Sequence, residues 1–121
     1  GAEIHASVAA VDGEIHIVEH YPNAFRETNL GETLKQLGVT DLTVVGMMTH
    51  MCVDATVRAA ADLGFDVLLA ADACATRALT HDGLTVAAEQ VQAAFLAALK
   101  SYGQVLRTEE ILAFNHLSAP C

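Results

Sequence analysis

The sequence predicts an α/β fold: a three-layer α/β/α arrangement on a mostly parallel sheet, built by a single domain over residues 1–121. Three observations carry that prediction. Short apolar runs with strand character alternate along the chain with stretches of helical periodicity, the order from which parallel sheets are wound. The run 65–71 is almost continuously apolar, as expected of a strand covered on both faces. Gly38, Gly64 and Gly103 each close a helical stretch just before the next apolar run.

Taken in order, the first expected strand is 14–19, which leaves the turn pair Asp12-Gly13. Its alternation puts Ile15, Ile17 and Glu19 on one face and His16, Val18 and His20 on the other. Tyr21-Pro22-Asn23 ends it. Asn29 followed by Glu32 has the spacing of a capping box, and Leu30, Leu34 and Leu37 mark one face of a short helix that stops at Gly38. A second strand, 42–45, is bounded by Gly46. The helix after Cys52 runs to Leu63, and its Ala59, Ala60 and Ala61 permit close packing on a sheet. Strand 65–71 follows, then a loop over 72–82. The spacing of Leu84, Ala87, Ala88, Val91, Ala94, Phe95, Ala98 and Leu99 predicts one long helix over 84–102. A short strand, 104–106, precedes a helix capped by Thr108 that extends through Phe114. The sequence shows no internal repeat, linker or low-complexity segment.

Bulk properties exclude several classes. A chain of 121 residues with 53% hydrophobic and 17% charged residues has the composition of a well-buried globular domain rather than a disordered one. A formal charge of -9, with only six Lys and Arg, argues against nucleic acid or an anionic membrane as partner. Apolar stretches are broken by Asp or Gly too early to span a bilayer, and there is no signal-peptide pattern. Three Cys residues, at 52, 74 and 121, without C-x-x-C spacing fit a reducing cytoplasm better than a disulfide framework. The chain opens at Gly1 without an initiator Met, so the expectation is that a segment upstream has been removed.

The most informative segment is 46–64. An apolar strand feeds through a glycine-containing turn into an Ala-rich helix, and Cys52 sits where that helix begins. Backbone N–H groups at a helix start are unpaired and the helix dipole is positive there, which favours a thiolate and offers donors to a developing oxyanion. This is the arrangement of a cysteine hydrolase, although free Cys residues near helix starts also serve as inert packing groups.

The residues then carry a resemblance. From Leu42 to Asp72 the chain reads Val-Val-Gly-x-x-Thr-x-x-Cys-Val-x-x-Thr-x-Arg-x-Ala-x-Asp-x-Gly-Phe-x-Val, followed by Asp72-Ala73. This is similar to the core signature of the isochorismatase-like cysteine hydrolases, a family that includes nicotinamidases and carbamoylsarcosine amidases. The flanking Gly1-Ala2-Glu3-Ile4-His5 and Tyr21-Pro22-Asn23-Ala24-Phe25-x-x-Thr28-x-Leu30 resemble the segment before the cysteine in such proteins. The resemblance implies a doubly wound, Rossmann-like fold and hydrolysis of a small amide or related C–N bond through an acyl-enzyme, with Cys52 as nucleophile. It further implies an oxyanion hole from the backbone N–H groups of Met48 and Cys52, and a cis peptide between Met47 and Met48.

The resemblance also defines what is missing. The family triad includes an Asp on the first strand and a Lys before the Ala-Phe segment. The Asp strand is expected upstream of Gly1, so the chain reads as an N-terminally truncated member; Asp12 lies in a turn of the wrong segment. The Lys position falls on Glu19, which reverses the local charge, disfavours a thiolate at Cys52 and offers at most a substitute proton acceptor. Without the missing strands the 42–45 strand presents an apolar edge, and a homodimer or higher homo-oligomer closed by strand exchange is expected. The alternative function is a catalytically degenerate protein retained for assembly or for binding a small carbonyl compound.

Met47, Thr49, His50, Met51 and Phe25 are candidate substrate contacts around Cys52, with core packing as the competing role for the methionines. His50 is either a pocket wall or a solvated loop residue. Arg58 is expected to tie its helix to a neighbouring carboxylate, and Cys74 to be structural. No metal and no cofactor are expected. His16 and His20 share a strand face but lie about 13 Å apart, too far for one ion. The expected partner is a small-molecule substrate.

Overall fold

The computed structural model describes residues 6–118. The expected Gly1–His5 flank and Cys121 lie outside the described residues. After a single 3-10 turn at Ala6–Val8, the elements are α1 (Leu30–Gln36), β1 (Asp41–Met47), a π-helical turn (Thr49–Val53), α2 (Asp54–Asp62) and β2 (Asp66–Ala75). They continue with β3 (Leu79–His81), β4 (Leu84–Val86), α3 (Ala88–Leu99), β5 (Gln104–Leu106) and α4 (Thr108–Ser118).

The fold is α/β on a parallel sheet of order β1-β2-β5, with β2 in the centre. The central position explains the apolar run: Val67, Leu69 and Ala70 of β2 are all buried. They join Val53, Val57, Ala60 and Leu99 in one core, so the cysteine turn, α2 and α3 share the sheet's interior. The closest approach is at Gly103, where a Cβ would stand 2.5 Å from the Val67 carbonyl oxygen, so the α3–β5 junction can lie against β2 only with glycine there.

β1 pairs with β2 from Asp41↔Asp66 to Val44↔Leu69, and the register then jumps to Gly46↔Cys74. Gly46 takes φ +138°, a conformation unfavourable to any side chain, at the point where the ladder breaks. Because pairing resumes beyond the irregularity, β2 reaches Ala75, past the end that the apolar run suggests.

Four expected elements differ. Residues 14–19 form no strand and join no ladder; between their end and β1 lies a cavity bordered by Glu19, Val44 and Val45, and alternation alone cannot make a strand without a hydrogen-bonded neighbour. Asn29 is the N-cap residue of α1 without a side-chain cap bond, since its ψ of 15° is not the extended geometry that capping needs. Thr28 takes over, accepting from the Leu30 N–H at 3.3 Å and donating to the Ala24 carbonyl at 2.6 Å. The end of the expected loop 72–82 and the start of the long helix, residues 79–86, are in fact an antiparallel hairpin, β3–β4, turned by Asp82 and Gly83 at φ +49° and +77°. That pair of positive φ angles is the two-residue hairpin turn for which Asp-Gly is suited, and it keeps Leu84 out of α3. Finally, α4 is capped from outside: the Thr108 N–H and hydroxyl both donate to Asp72 Oδ1 at 2.7 Å.

Candidate active site around Cys52

β1 delivers the chain to the site. Its last residue, Met47, is joined to Met48 by a cis peptide bond, as the resemblance implies. Met48 is extended, and its carbonyl accepts from the N–H groups of both Met51 and Val53, at 3.0 and 3.3 Å. This winds Thr49–Val53 into a π-helical turn rather than a regular α-helical start, and α2 continues from Asp54. Val53 and Thr49 are buried in the core, so the turn is fixed from below while Cys52 remains half-buried.

Cys52 lines a cavity of about 190 Å³. Val44, Val45, Gly46 and Met47 of β1 contribute one side, Val53 and Thr56 the cysteine turn and α2, and Glu19 and Ala24 the opposite strap. Glu19 and Met47 therefore share the cavity of Cys52. A second, largely apolar cavity of about 270 Å³ adjoins through Glu19 and Ala24, between the Ile15–Ile17 stretch and α1.

The other candidates are placed differently. Thr49 is 0% exposed and its hydroxyl has no hydrogen-bond partner among the described residues, so it is a core residue rather than a substrate contact. Phe25 stacks on Phe65 with ring centroids 6.0 Å apart and packs against the core; it does not line the cavity. His50 is half-buried: its Nδ1 is 2.7 Å from Thr76 Oγ1 and its ring meets Phe95 edge-on, which ties the cysteine turn to the segment after β2. Met51 is exposed.

Thr56 is the functional residue that sequence reasoning missed. Its Oγ1 accepts from the Ala24 N–H at 3.0 Å and its hydroxyl donates to the Pro22 carbonyl at 3.2 Å. Two main-chain groups of the strap are thus pinned to α2 one turn beyond Cys52. The available signal was that spacing: a hydroxyl four residues after the cysteine shares its helical side.

Arg58 bonds Asp54 Oδ1 at 3.1 Å within α2 and covers the Tyr102 ring at 4.7 Å, so its carboxylate partner lies on its own helix. Burial pushes the Cys74 thiol up, and its Sγ donates to the Ala70 carbonyl at 3.3 Å, which suits packing rather than nucleophilic attack. Among the described residues no cluster of three or more His, Cys, Asp or Glu could hold a metal ion. No helix among them is long and apolar enough to cross a membrane.

With this geometry described, comparison with known proteins is informative. Residues 1–110 match the Isochorismatase domain family. The chain is similar to an uncharacterized isochorismatase family protein of Bacillus subtilis, 47% identical over 113 residues that are 93% of this chain and 63% of that protein. It is similar to streptothricin hydrolase of Streptomyces noursei, 41% identical over 63% of this chain and 28% of the relative. It is also similar to nicotinamidase 3 of Arabidopsis thaliana, 43% identical over 45% of this chain and 27% of the relative. Among solved structures, an isochorismatase from Pseudomonas putida superposes with a TM-score of 0.86 at 37% identity, covering 89% of this chain and 56% of that one. A protein from Oleispira antarctica superposes with a TM-score of 0.89 at 48% identity, covering 93% and 60%. The chain thus spans at most about 63% of the length of these relatives.

Proposed function

Since this chain belongs to the isochorismatase family, we propose that it carries the nucleophile half of a hydrolase acting on a small amide or related C–N bond, with Cys52 as the attacking residue. The observation that carries this reading is the placement of Cys52: half-buried in a helical turn directly after the cis Met47–Met48 bond and opening into a cavity. Sγ attacks the carbonyl carbon, the C–N bond breaks and the amine leaves with a proton. Water then hydrolyses the resulting thioester to the acid and the free thiol. Backbone N–H groups of Met48 and Cys52 hold the oxyanion in this scheme. In this scheme a carboxylate base takes the thiol proton and passes it to the leaving amine.

A second reading, a non-catalytic binding protein, is favoured by one feature: a carboxylate, Glu19, lines the cavity where the family pattern has Lys. Two measurements on the protein decide between them. Ammonia or amine release from a panel of small amides should be abolished by Cys52→Ser and retained by Cys74→Ala. Cys52 should also be alkylated by iodoacetamide faster than Cys74. Turnover that survives Cys52→Ser, or no turnover together with equal alkylation of the two thiols, overturns the hydrolase reading.

A further inference from the structure

The cavity beside Cys52 is mostly apolar, yet it has one charged wall. Val44, Val45, Met47 and Val53 supply hydrocarbon, Thr56 a hydroxyl already engaged by the strap, and Glu19 a carboxylate. Among the described residues the ion pairs are Arg58 with Asp54 and Arg107 with Glu110, so Glu19 has no counter-charge. The nearest cation in sequence, Arg26, is engaged over the Tyr21 ring at 3.7 Å. Nor is Glu19 on a free tail: three residues on, the strap is fastened by the Pro22 and Ala24 main-chain bonds to Thr56, and Phe25 is stacked on Phe65. An unpaired, exposed carboxylate at the rim of a mostly apolar cavity that also holds the thiol is complementary to a small molecule with an apolar body and a positive end.

We propose that the Cys52 cavity takes amides that carry a cationic group, an ammonium or amidinium, with Glu19 as the counter-charge. This rests on the reading of Cys52 as the reacting group. The bound cation then lies at the carboxylate and neutralises it within the cavity. Neutral amides of the same shape leave Glu19 uncompensated and bind less well. Anionic ones are repelled.

The test needs no knowledge of the natural substrate. In protein whose other cysteines are replaced (Cys74→Ala, Cys121→Ser), Cys52 is reacted with trimethylammonioethyl methanethiosulfonate, which is cationic, and with sulfonatoethyl methanethiosulfonate, which is anionic. In both reactions Sγ forms a disulfide with the reagent's thioalkyl sulfur and methanesulfinate leaves, so only the charge differs. The ratio of the two rates reports the field at Sγ, and the same ratio in Glu19→Gln reports the background from the overall charge of -9. The cation should be preferred at Cys52 beyond that background. Glu19→Gln should cut the ratio by roughly five- to tenfold, and Glu19→Lys should invert the preference. An unchanged ratio in Glu19→Gln overturns the proposal. These rates do not depend on turnover, so loss of the charge preference is separable from failure of the hydrolase reading, which Cys52→Ser decides.

Discussion

The strap is held to the cysteine helix by one hydroxyl, so removing it should detach the strap without unfolding the domain. In Thr56→Val the shape of the side chain is kept, but the Ala24 N–H and the Pro22 carbonyl lose their partner. The two losses are unequal. The Ala24 bond is partly buried, and an amide left unpaired there costs about 1–2 kcal/mol; the Pro22 bond is exposed, and water replaces it at a cost of about 0.5 kcal/mol or less. The sum, about 1–2.5 kcal/mol, raises the open population of the strap roughly 5- to 70-fold. Amide hydrogen exchange at residues 22–25 measures this directly and should accelerate by that factor, while exchange in β2 and α3 changes little. Thr56→Ser keeps the hydroxyl and should behave like the parent. Equal protection of Ala24 in the parent and in Thr56→Val would refute the clamp.

Three further outcomes follow from packing and charge. Gly103→Ala places a Cβ 2.5 Å from a backbone oxygen and 3.0 Å from Val67 Cβ, so β5 or β2 must shift; urea denaturation should show a loss of about 1–3 kcal/mol. The Asp72 carboxyl is held below its ordinary value of 3.8 by the hydroxyl and N–H of Thr108, so its contribution to stability is complete above that value and is lost as pH falls through the lower, folded-state value. Asp72→Asn should therefore remove part of the acid-induced loss of stability below about pH 4 while leaving the other carboxylates' share. The unpaired, apolar edge of β1, with Val45 58% exposed and Met47 66% exposed, should drive self-association of the chain. Sedimentation should show dimers or larger species that Val45→Lys reduces to monomer, and a monomeric parent would sink this reading.

Elements set by burial were legible because burial writes a pattern into the sequence. β1, β2, β5 and α2 were all found from apolar runs, and each contributes to or packs against the common core. The β3–β4 hairpin was hidden because Leu84 continues the apolar spacing of α3 one turn too early; only the Asp82-Gly83 turn distinguishes the two, and a backbone preference outweighs one apolar side chain there. Residues 14–19 fail in the opposite sense, since their alternation is a strand's but a strand exists only through its neighbour. At the site, Cys52 was readable from its place at a helix start and Glu19 only through the family resemblance, and the two line one cavity. Thr56 was not readable, because its role depends on main-chain groups 32 and 34 residues away, and no local pattern encodes which distant carbonyl a hydroxyl will meet. Thr49 shows the converse, a polar residue that reads as a contact and is instead sealed in the core.

The two sides of the cavity are therefore held by different physics, and this makes Glu19 separable from the fold. Cys52 stands on a turn anchored by the buried Thr49 and Val53, so its position is coupled to global stability. Glu19 stands on a strap anchored by Thr56 and Phe25, is itself exposed, and forms no ion pair among the described residues. Exchanging its charge disturbs neither anchor. Glu19→Lys should thus change stability by no more than about 0.5 kcal/mol, as for an isolated surface substitution. The same change should raise the rate at which Cys52 reacts with iodoacetate relative to iodoacetamide, because a cation in place of an anion at the cavity attracts the anionic reagent. Urea titration and alkylation kinetics with both reagents on the same preparation test both halves. A Glu19→Lys protein that is destabilised by more than 1–2 kcal/mol would show that the carboxylate holds the strap, and one that is stable with an unchanged ratio of rates would show that Glu19 and Cys52 share a cavity without sharing a field.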